Sequence, residues 1–159
     1  MAEGFRLHVV TPTGEVVDDQ VVELTAPGID GEFGVLPRHA RYMTVLGVGE
    51  LRYRREDGSD GLIAVAGGFA EVTRASVNIL AQTAEDAAEI DIARAEAAAQ
   101  RARERLEESE AEVDVERASL ALDRSLARLR VAQARGIKPT RTAIRTTEAP
   151  IPGASEDDD

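Results

Sequence analysis

The chain has 159 residues, of which 31% are charged, and a formal net charge of −11. An acidic chain cannot gain affinity by neutralising phosphates along a duplex, which excludes double-stranded nucleic acid as a predicted partner. The sequence has no cysteine, so disulfides, thiolate metal sites and cysteine nucleophiles are also excluded. Because the sequence shows no secretory signal and no apolar run of about 18 residues, we expect a soluble protein that reaches a membrane only through partners.

Residues 1–84 contain most of the glycines and many short β-branched runs, which is typical of strands joined by tight turns. The predicted turns are Pro12–Gly14, Pro27–Gly31, Glu56–Gly58 and Gly67–Gly68. The predicted strands are Arg6–Thr11, Val16–Ala26, Glu32–Leu36, Tyr42–Val48, Glu50–Arg55, Gly61–Ala66, Phe69–Val72 and Ser76–Leu80. Many short strands at close spacing predict a β-sandwich or a barrel.

Residues 85–135 contain neither glycine nor proline, and their apolar residues recur at helical spacing. The first stripe is Ile92, Ala95, Ala99, Ala102 and Leu106, and the second is Val115, Ala118, Leu122, Leu126 and Leu129. The polar run Glu107–Glu112 separates the two stripes, so we expect an antiparallel two-helix hairpin. Because alanine buries little apolar area, the seam is predicted to be weak and the hairpin able to detach.

The last segment, residues 136–159, is predicted to be a disordered acidic tail. It begins with Gly136, a common helix stop, and it ends in the sequence SEDDD. Few large apolar residues remain in it, so it cannot bury enough surface to offset the entropy of ordering.

No catalytic residue and no metal site is predicted. The two histidines, His8 and His39, belong to a predicted strand and to a turn, and no nucleophile motif, metal-ligand spacing or phosphate-binding loop accompanies them. The short glycine pairs at Gly31–Gly34 and Gly67–Gly68 are typical of turns.

The arginines of the predicted hairpin are more informative. Asp91 precedes the first stripe and is predicted to cap that helix. Arg94, Arg101 and Arg105 share one face of the first helix, and a second set, Arg117, Arg124 and Arg128, shares one face of the other. Two interpretations remain open. The faces are either solvated and neutralised by nearby acids, or they form an anion site in which guanidinium groups grip phosphate oxygens.

Three segments together resemble the epsilon subunit of bacterial and chloroplast F-type ATP synthases. They are Val9–Gly14, the loop GEFGVLPRH at Gly31–His39, and AVAGGFAEV at Ala64–Val72, followed by two helices. The resemblance implies an α+β chain with a sandwich of about ten strands and a helical hairpin. It also implies a non-catalytic rotor subunit that contacts gamma and the c-ring, and that inhibits ATP hydrolysis when its helices extend into the alpha/beta head.

The resemblance assigns residues to two sites. Glu32, Phe33 and His39 match the family's subunit-contact loop. The helix start Ile90-Asp91-x-x-Arg94-Ala95 is similar to the signature of epsilon subunits that bind ATP. The implied ATP-binding residues are Glu85, Ile90, Asp91, Arg94, Ala95, Arg101, Arg124 and Arg128. ATP is expected as a regulatory ligand, with no cofactor required.

The same resemblance implies a peripheral location on the cytoplasmic face of the bacterial inner membrane, within the F1 sector. Two other classes remain possible from the residues alone. One is a free-standing nucleotide-binding module that does not copurify with gamma, and the other is an enzyme with an active site in the sandwich. An enzyme would need a polar constellation in the sandwich, and the sequence shows none.

Overall fold

A computed structural model describes residues 3–135, so the predicted tail at residues 136–159 lies outside the described residues. The strands are β1 (Phe5–Thr11), β2 (Gly14–Gly28), β3 (Gly31–Val35), β4 (Tyr42–Val45), β5 (Val48–Arg55), β6 (Asp60–Val72) and β7 (Ser76–Asp86). The helices are α1 (Ile92–Glu108) and α2 (Glu112–Ala134). Neither of these two helices is both long and apolar enough to span a membrane.

The seven strands form one sheet that closes on itself. Its order is β1-β7-β6-β5-β2-β3, and β1 also pairs with β2, while β4 pairs with β6. The β1–β7 pair is parallel and the other pairs are antiparallel. The predicted class, an α+β chain with a β-sandwich followed by a helical hairpin, is confirmed. Residues 3–135 contain seven strands rather than about ten, because β2 and β6 are long and serve several neighbours.

One hydrophobic core fills the sandwich, and strand alternation explains which side chains enter it. On β1, Phe5, Leu7 and Val9 are buried, whereas Arg6 points outward and donates two hydrogen bonds of 2.7 Å to the Asp18 carboxylate. The largest fully buried side chains of the sandwich are Leu7, Leu24, Leu51, Ile63, Ile79, Val9, Val21, Val35, Val65, Val72 and Val77. These side chains come from six of the seven strands, so one core runs through the sandwich.

The turn predicted at Gly67–Gly68 is wrong, because β6 runs through both glycines as one strand. Both residues have positive φ angles, 65° and 108°, which bend the strand instead of ending it. A Cβ on Gly68 would lie 1.9 Å from the Leu80 carbonyl oxygen, so the close approach of β7 also requires glycine there. The bend lets β6 pair with β5 before the glycines and with β4 after them.

The hairpin folds back onto the sandwich through α2, which packs against β5 and β6, while α1 packs mainly on α2. The buried residues of α1 are Ala95, Ala99 and Ala102, the centre of the predicted stripe, whereas Ile92 at its start is 46% exposed and Leu106 at its end is only partly buried. The buried residues of α2 are Ala118, Ser125, Ala127 and Val131, so the predicted stripe of α2 is correct only at Ala118. The reason is that α2 contacts both α1 and the sheet and therefore buries two faces.

The base of the hairpin rests on a small apolar cluster. Ala64 of β6, Ala87 and Val131 of α2 are buried there, with Leu62 and Ile90 packed against them at partial exposure. Two of these five side chains are alanines, and of the three larger ones only Val131 is fully buried. The cluster therefore removes little apolar surface from water. The hairpin is thus held on the sandwich by a far smaller apolar contact than the one that holds the sandwich together.

Candidate functional site

Between the two helices, at the edge of the sheet, lies an open groove lined by arginines. Its volume is about 320 Å³. Its charged lining comes from both helices, with Arg101 and Arg105 on α1 and Arg124 and Arg128 on α2. The remaining lining residues are Thr83, Ala98, Ala102, Ala121 and Ser125. We call this lining the arginine groove. Folding the hairpin therefore brings together two arginines of each predicted row, while Arg94 and Arg117 do not line the groove.

Only one arginine of the groove is neutralised by an acid within residues 3–135. The Arg128 Nε donates a hydrogen bond of 2.8 Å to Glu85 Oε2, and both side chains are about one-third exposed. Arg101, Arg105 and Arg124 have no ion pair with any described acid. The four arginines put positive charge along one groove, and guanidinium groups bind phosphate and carboxylate oxygens, so the groove is suited to an anionic ligand. Of the four groove arginines, only Arg128 is neutralised by a described acid, whereas Arg101 and Arg105 are exposed to solvent, so both interpretations of the arginine faces stay open.

The other predicted ATP-binding residues lie outside the groove, at the start of α1. The Asp91 Oδ1 accepts a 3.0 Å hydrogen bond from the Arg94 backbone N–H, which confirms the predicted helix cap. Ile90 packs on the cluster at the hairpin base, Ala95 is buried, and the Arg94 side chain is exposed. Ala95 precedes Arg101 by six residues, or about 9 Å along a helix. Their role in ATP binding remains a prediction.

Six groove residues were not among the predicted ATP-binding residues, and three of them, Thr83, Arg105 and Ser125, carry polar or charged side chains. Helical spacing places Arg105 on the face of Arg101, but the family resemblance does not include it. Ser125 lies one residue from Arg124 and donates a 2.9 Å hydrogen bond to the Ala121 carbonyl, so it enters the groove from the buried side of α2. Thr83 belongs to β7, and no sequence pattern shows which strand lies beneath the hairpin. In the described part of the chain, no group of three or more acidic or histidine side chains is placed to hold a metal ion.

The predicted subunit-contact residues lie around the end of β3 and the loop after it. Glu32 is exposed, and Phe33 is half-buried with its ring edge-on to Tyr42 at 5.5 Å between centroids. The His39 Nδ1 donates a 2.7 Å hydrogen bond to the Ala40 carbonyl, and its ring lies 6.4 Å from Tyr42. Tyr42 therefore joins this loop to β4. Arg38, within the loop, has a positive φ of 65°, an uncommon conformation for a non-glycine residue.

Next to this loop the sandwich exposes large apolar side chains on three neighbouring strands. Met43 and Val45 lie on β4, Phe69 pairs with Val45 from β6, and Leu80 pairs with Phe69 from β7. Met43, Phe69 and Leu80 are 67%, 57% and 54% exposed. We call these four residues the apolar face. Contiguous exposed apolar surface on a soluble domain is typical of a protein–protein interface. The sequence alone does not reveal the apolar face, because large apolar residues such as Phe69 and Leu80 in predicted strands are expected to be buried in the core.

Comparison with known proteins assigns both parts of the chain to one family. Residues 4–87 match the family described as "ATP synthase, Delta/Epsilon chain, beta-sandwich domain", and residues 88–133 match "ATP synthase, Delta/Epsilon chain, long alpha-helix domain". The two matches meet in the segment between β7 and α1.

Individual relatives agree with this assignment. The ATP synthase epsilon chain of Syntrophobacter fumaroxidans is 49% identical over 109 residues, covering 69% of this chain and 81% of the relative. That of Pelotomaculum thermopropionicum is 50% identical over 101 residues, covering 64% and 75%. A chain in the Euglena gracilis mitochondrial ATP synthase (OSCP/F1/c-ring, rotational state 1) superposes with a TM-score of 0.67 at 26% identity, covering 76% of each chain. The chain therefore belongs to the ATP synthase delta/epsilon family, as a non-catalytic epsilon chain.

Proposed function

We propose that this chain is the epsilon subunit of the rotor in a proton-translocating F-type ATP synthase, and that its hairpin is a regulatory element which binds ATP. The observation that carries the regulatory part is the arginine groove. It exists only when α1 and α2 lie side by side on the sandwich, and its arginines come from both helices. A ligand in this groove stabilises the folded hairpin and opposes its extension.

The sandwich supplies the contacts with the rest of the rotor. The apolar face and the neighbouring loop with Glu32, Phe33 and His39 form a continuous surface through Tyr42. Such a surface is suited to a large partner that covers its apolar centre and meets its polar rim. We assign gamma and the c-ring as these partners, because relatives of this chain are subunits of ATP synthases and a matching chain occurs in a complex with F1 and a c-ring.

ATP is the anion that best fits the groove. Guanidinium forks grip phosphate oxygens through paired hydrogen bonds, and four arginines supply about the charge that a triphosphate carries. Ile90, Asp91 and Ala95 then lie by the base of the nucleotide at the start of α1, and Glu85 of β7 and Arg94 of α1 complete the predicted site. The phosphates of the nucleotide would thus bind in the arginine groove, and its base would bind at the start of α1.

Regulation follows from the small contact between hairpin and sandwich. A ligand shifts a two-state equilibrium only through its different affinity for the two states. At 100 times its dissociation constant, ATP would stabilise the folded hairpin by about 2.7 kcal/mol. We propose that high ATP keeps the helices folded, and that low ATP lets them extend into the alpha/beta head and block hydrolysis. The complex would place the chain on the cytoplasmic face of the bacterial inner membrane, attached only through other subunits.

Copurification tests the rotor assignment. A tagged chain is expressed in its own host, and its complex is isolated from detergent-solubilised membranes. We expect gamma and the c subunit in the eluate, together with ATPase activity. An eluate that binds ATP but lacks both subunits would instead indicate a free-standing nucleotide-binding module.

The recovered complex also tests the regulation. Arg124→Ala is expected to leave hydrolysis inhibited at ATP concentrations that relieve the wild-type complex. Arg130→Ala is the matched control, because Arg130 is an exposed arginine on the same helix that does not line the groove. Equal ATP response in the two variants would contradict regulation through the groove.

A further inference from the structure

A run of four consecutive acids, Glu156–Asp159, lies beyond both family domains that this chain matches. The match to the helical domain ends at residue 133, and α2 ends at Ala134. The run lies outside the described residues, but its composition and its distance along the chain from α2 are fixed by the sequence. A contact made by this acidic run would therefore be a property of this chain rather than of the matched domains.

The arginine groove offers such a run the opposite charge. The whole chain has a formal net charge of −11, yet the described lining of the groove contains four arginines and no acid. Arg101, Arg105 and Arg124 form no ion pair with any acid within residues 3–135. Carboxylates and guanidinium groups form charge-assisted hydrogen bonds, so an acidic segment fits this lining.

The end of α2 brings the acidic run within reach of the groove. Arg128 lines the groove, and Arg135 follows it at the end of the helix, about 10 Å further along the axis. Glu156 comes roughly 20 residues after Arg135, and a segment of that length spans at most about 70 Å. The chain is thus long enough to turn back to the groove. Arg101 and Arg105 are exposed, so an approach from solvent is open.

Attachment to the same chain compensates for the weakness of single contacts. Exposed ion pairs are individually weak, and a free acidic peptide would gain little from them. A tethered segment binds in an intramolecular step, at a high effective concentration set by the length of the linker. Several carboxylates can then engage several guanidinium groups together.

We propose that the acidic run Glu156–Asp159 is a tethered competitor for the arginine groove, where it pairs with Arg101, Arg105 and Arg124 when no other anion is bound. A nucleotide has to displace the run before its phosphates reach these arginines. The run therefore raises the ATP concentration at which the groove fills. The statement about ATP rests on the proposed function, whereas the pairing of the run with the groove does not.

Paramagnetic relaxation tests the pairing without any nucleotide. The chain has no cysteine, so Ser155→Cys carries a single nitroxide directly before the acidic run. In the nitrogen-15-labelled full chain at low salt, we expect broadened amide signals at Ala98 and Ala121 of the groove. The amide of Ala75, at the other end of β7 from Thr83, should stay sharp. Sodium chloride at about 0.5 M shortens the screening length to about 4 Å and should remove the broadening.

Calorimetric titration with ATP tests the competition. One variant neutralises the run without shortening the chain, through the substitutions Glu156→Gln, Asp157→Asn, Asp158→Asn and Asp159→Asn. We expect it to bind ATP about fivefold more tightly than the wild type at low salt, the scale of a few exposed ion pairs acting together. The difference should shrink at about 0.5 M sodium chloride, because salt screens the pairing of the run with the groove.

A matched variant separates competition in the groove from the effect of net charge. It removes the same number of charges from exposed acids that do not line the groove, through Glu15→Gln, Asp30→Asn, Glu56→Gln and Glu96→Gln. We expect it to bind ATP as the wild type does. Melting curves without ligand verify that both variants are folded.

The outcomes separate this inference from the proposed function. Groove signals that stay sharp, or broadening centred on Arg74 and Ala75 instead, would overturn the pairing. Broadening of an unlabelled chain mixed with the nitroxide-labelled one would assign the groove to the run of a second copy and overturn the tether. Equal ATP affinity in the wild type and the neutralised run, or an equal gain in the matched variant, would overturn the competition. If no chain binds ATP while the groove signals still broaden, the proposed ATP site fails and the pairing stands.

Discussion

The sandwich and the hairpin are both held by apolar contacts, but on very different scales. The sandwich encloses a continuous core of fully buried Leu, Ile and Val side chains from most of its strands. The hairpin rests on Ala64, Ala87 and Val131, with Leu62 and Ile90 at partial exposure, and its two helices meet largely through alanines. Because apolar stabilisation grows with buried area, the two regions have different stabilities within one chain.

This difference suits the two tasks that we propose for the chain. A part that must transmit force while bound to other subunits needs a fold that does not change with ligand. A regulatory part needs two states separated by a free energy that a ligand can match, which is a few kcal/mol at most. The following substitutions test the difference in stability between the sandwich and the hairpin, beginning with the largest expected effect.

The core of the sandwich should be most sensitive to loss of volume. Leu51 on β5 is 0% exposed, so Leu51→Ala is expected to lower the free energy of unfolding by about 2–5 kcal/mol through lost transfer energy and a cavity. Urea unfolding followed by circular dichroism measures this. Leu80→Ala, at a position that is 54% exposed, is the control and should have almost no effect.

The hairpin base should respond less, and without unfolding the sandwich. Val131→Ala removes two carbons from a side chain that is 0% exposed, which weakens docking by about 1.5 kcal/mol. Hydrogen exchange should show faster exchange in α2 with unchanged protection in β1 and β7. Val113→Ala on the same helix, where the side chain is 59% exposed, should leave exchange as it is. Equal destabilisation of sandwich and hairpin by Val131→Ala would contradict the division into two regions.

The arginine groove should matter for the ligand rather than for the fold. Arg124→Ala is expected to reduce ATP affinity about tenfold, or 1.4 kcal/mol, because one guanidinium contact to phosphate is lost. In the absence of ATP, the same change should leave the hairpin intact or slightly stabilise it, since it relieves repulsion from Arg101 and Arg128. Calorimetry with ATP and melting without it measure the two effects, with Arg130→Ala as the control. A loss of stability without a loss of affinity would assign Arg124 a structural role.

The smallest effect is expected at the start of α1. Asp91→Ala removes the acceptor for the Arg94 N–H and should cost the first turn of α1 about 1 kcal/mol. Asp91→Asn keeps an acceptor oxygen and should retain the turn. Amide exchange of the first residues of α1 distinguishes the two variants, and identical exchange in both would mean that the cap does not stabilise the helix.

The sequence predicts local features of this chain better than it predicts contacts between elements. The predicted strand Arg6–Thr11 lies within one residue of β1, and the cap at Asp91 follows from the residue type before a helical stripe. Both depend only on neighbours in the chain. Gly67 and Gly68 are misread as a turn because positive φ angles serve a bent strand equally well.

In the candidate site, too, the features that depend on local spacing are predicted from the sequence, and those that depend on contacts between elements are not. Helical spacing places Arg101 on one face of α1, and it places Arg124 and Arg128 together on one face of α2. The structure brings all three arginines into one groove. Thr83 cannot be predicted, since it reaches the groove only through the way the hairpin docks on the neighbouring strands β5 and β6. The buried face of α2 is mispredicted for the same reason, because its second face is determined by docking on β5 and β6 rather than by the partner helix.

One distance tests the central claim that an anion in the groove holds the hairpin on the sandwich. The chain has no cysteine, so Asp30→Cys on the sandwich and Ser119→Cys on α2, both exposed, can be labelled specifically for single-molecule fluorescence. We predict a single short distance at millimolar ATP and a second, longer population without ATP, with no ATP response after Arg124→Ala. Identical distance distributions with and without ATP in the wild-type chain would contradict the account.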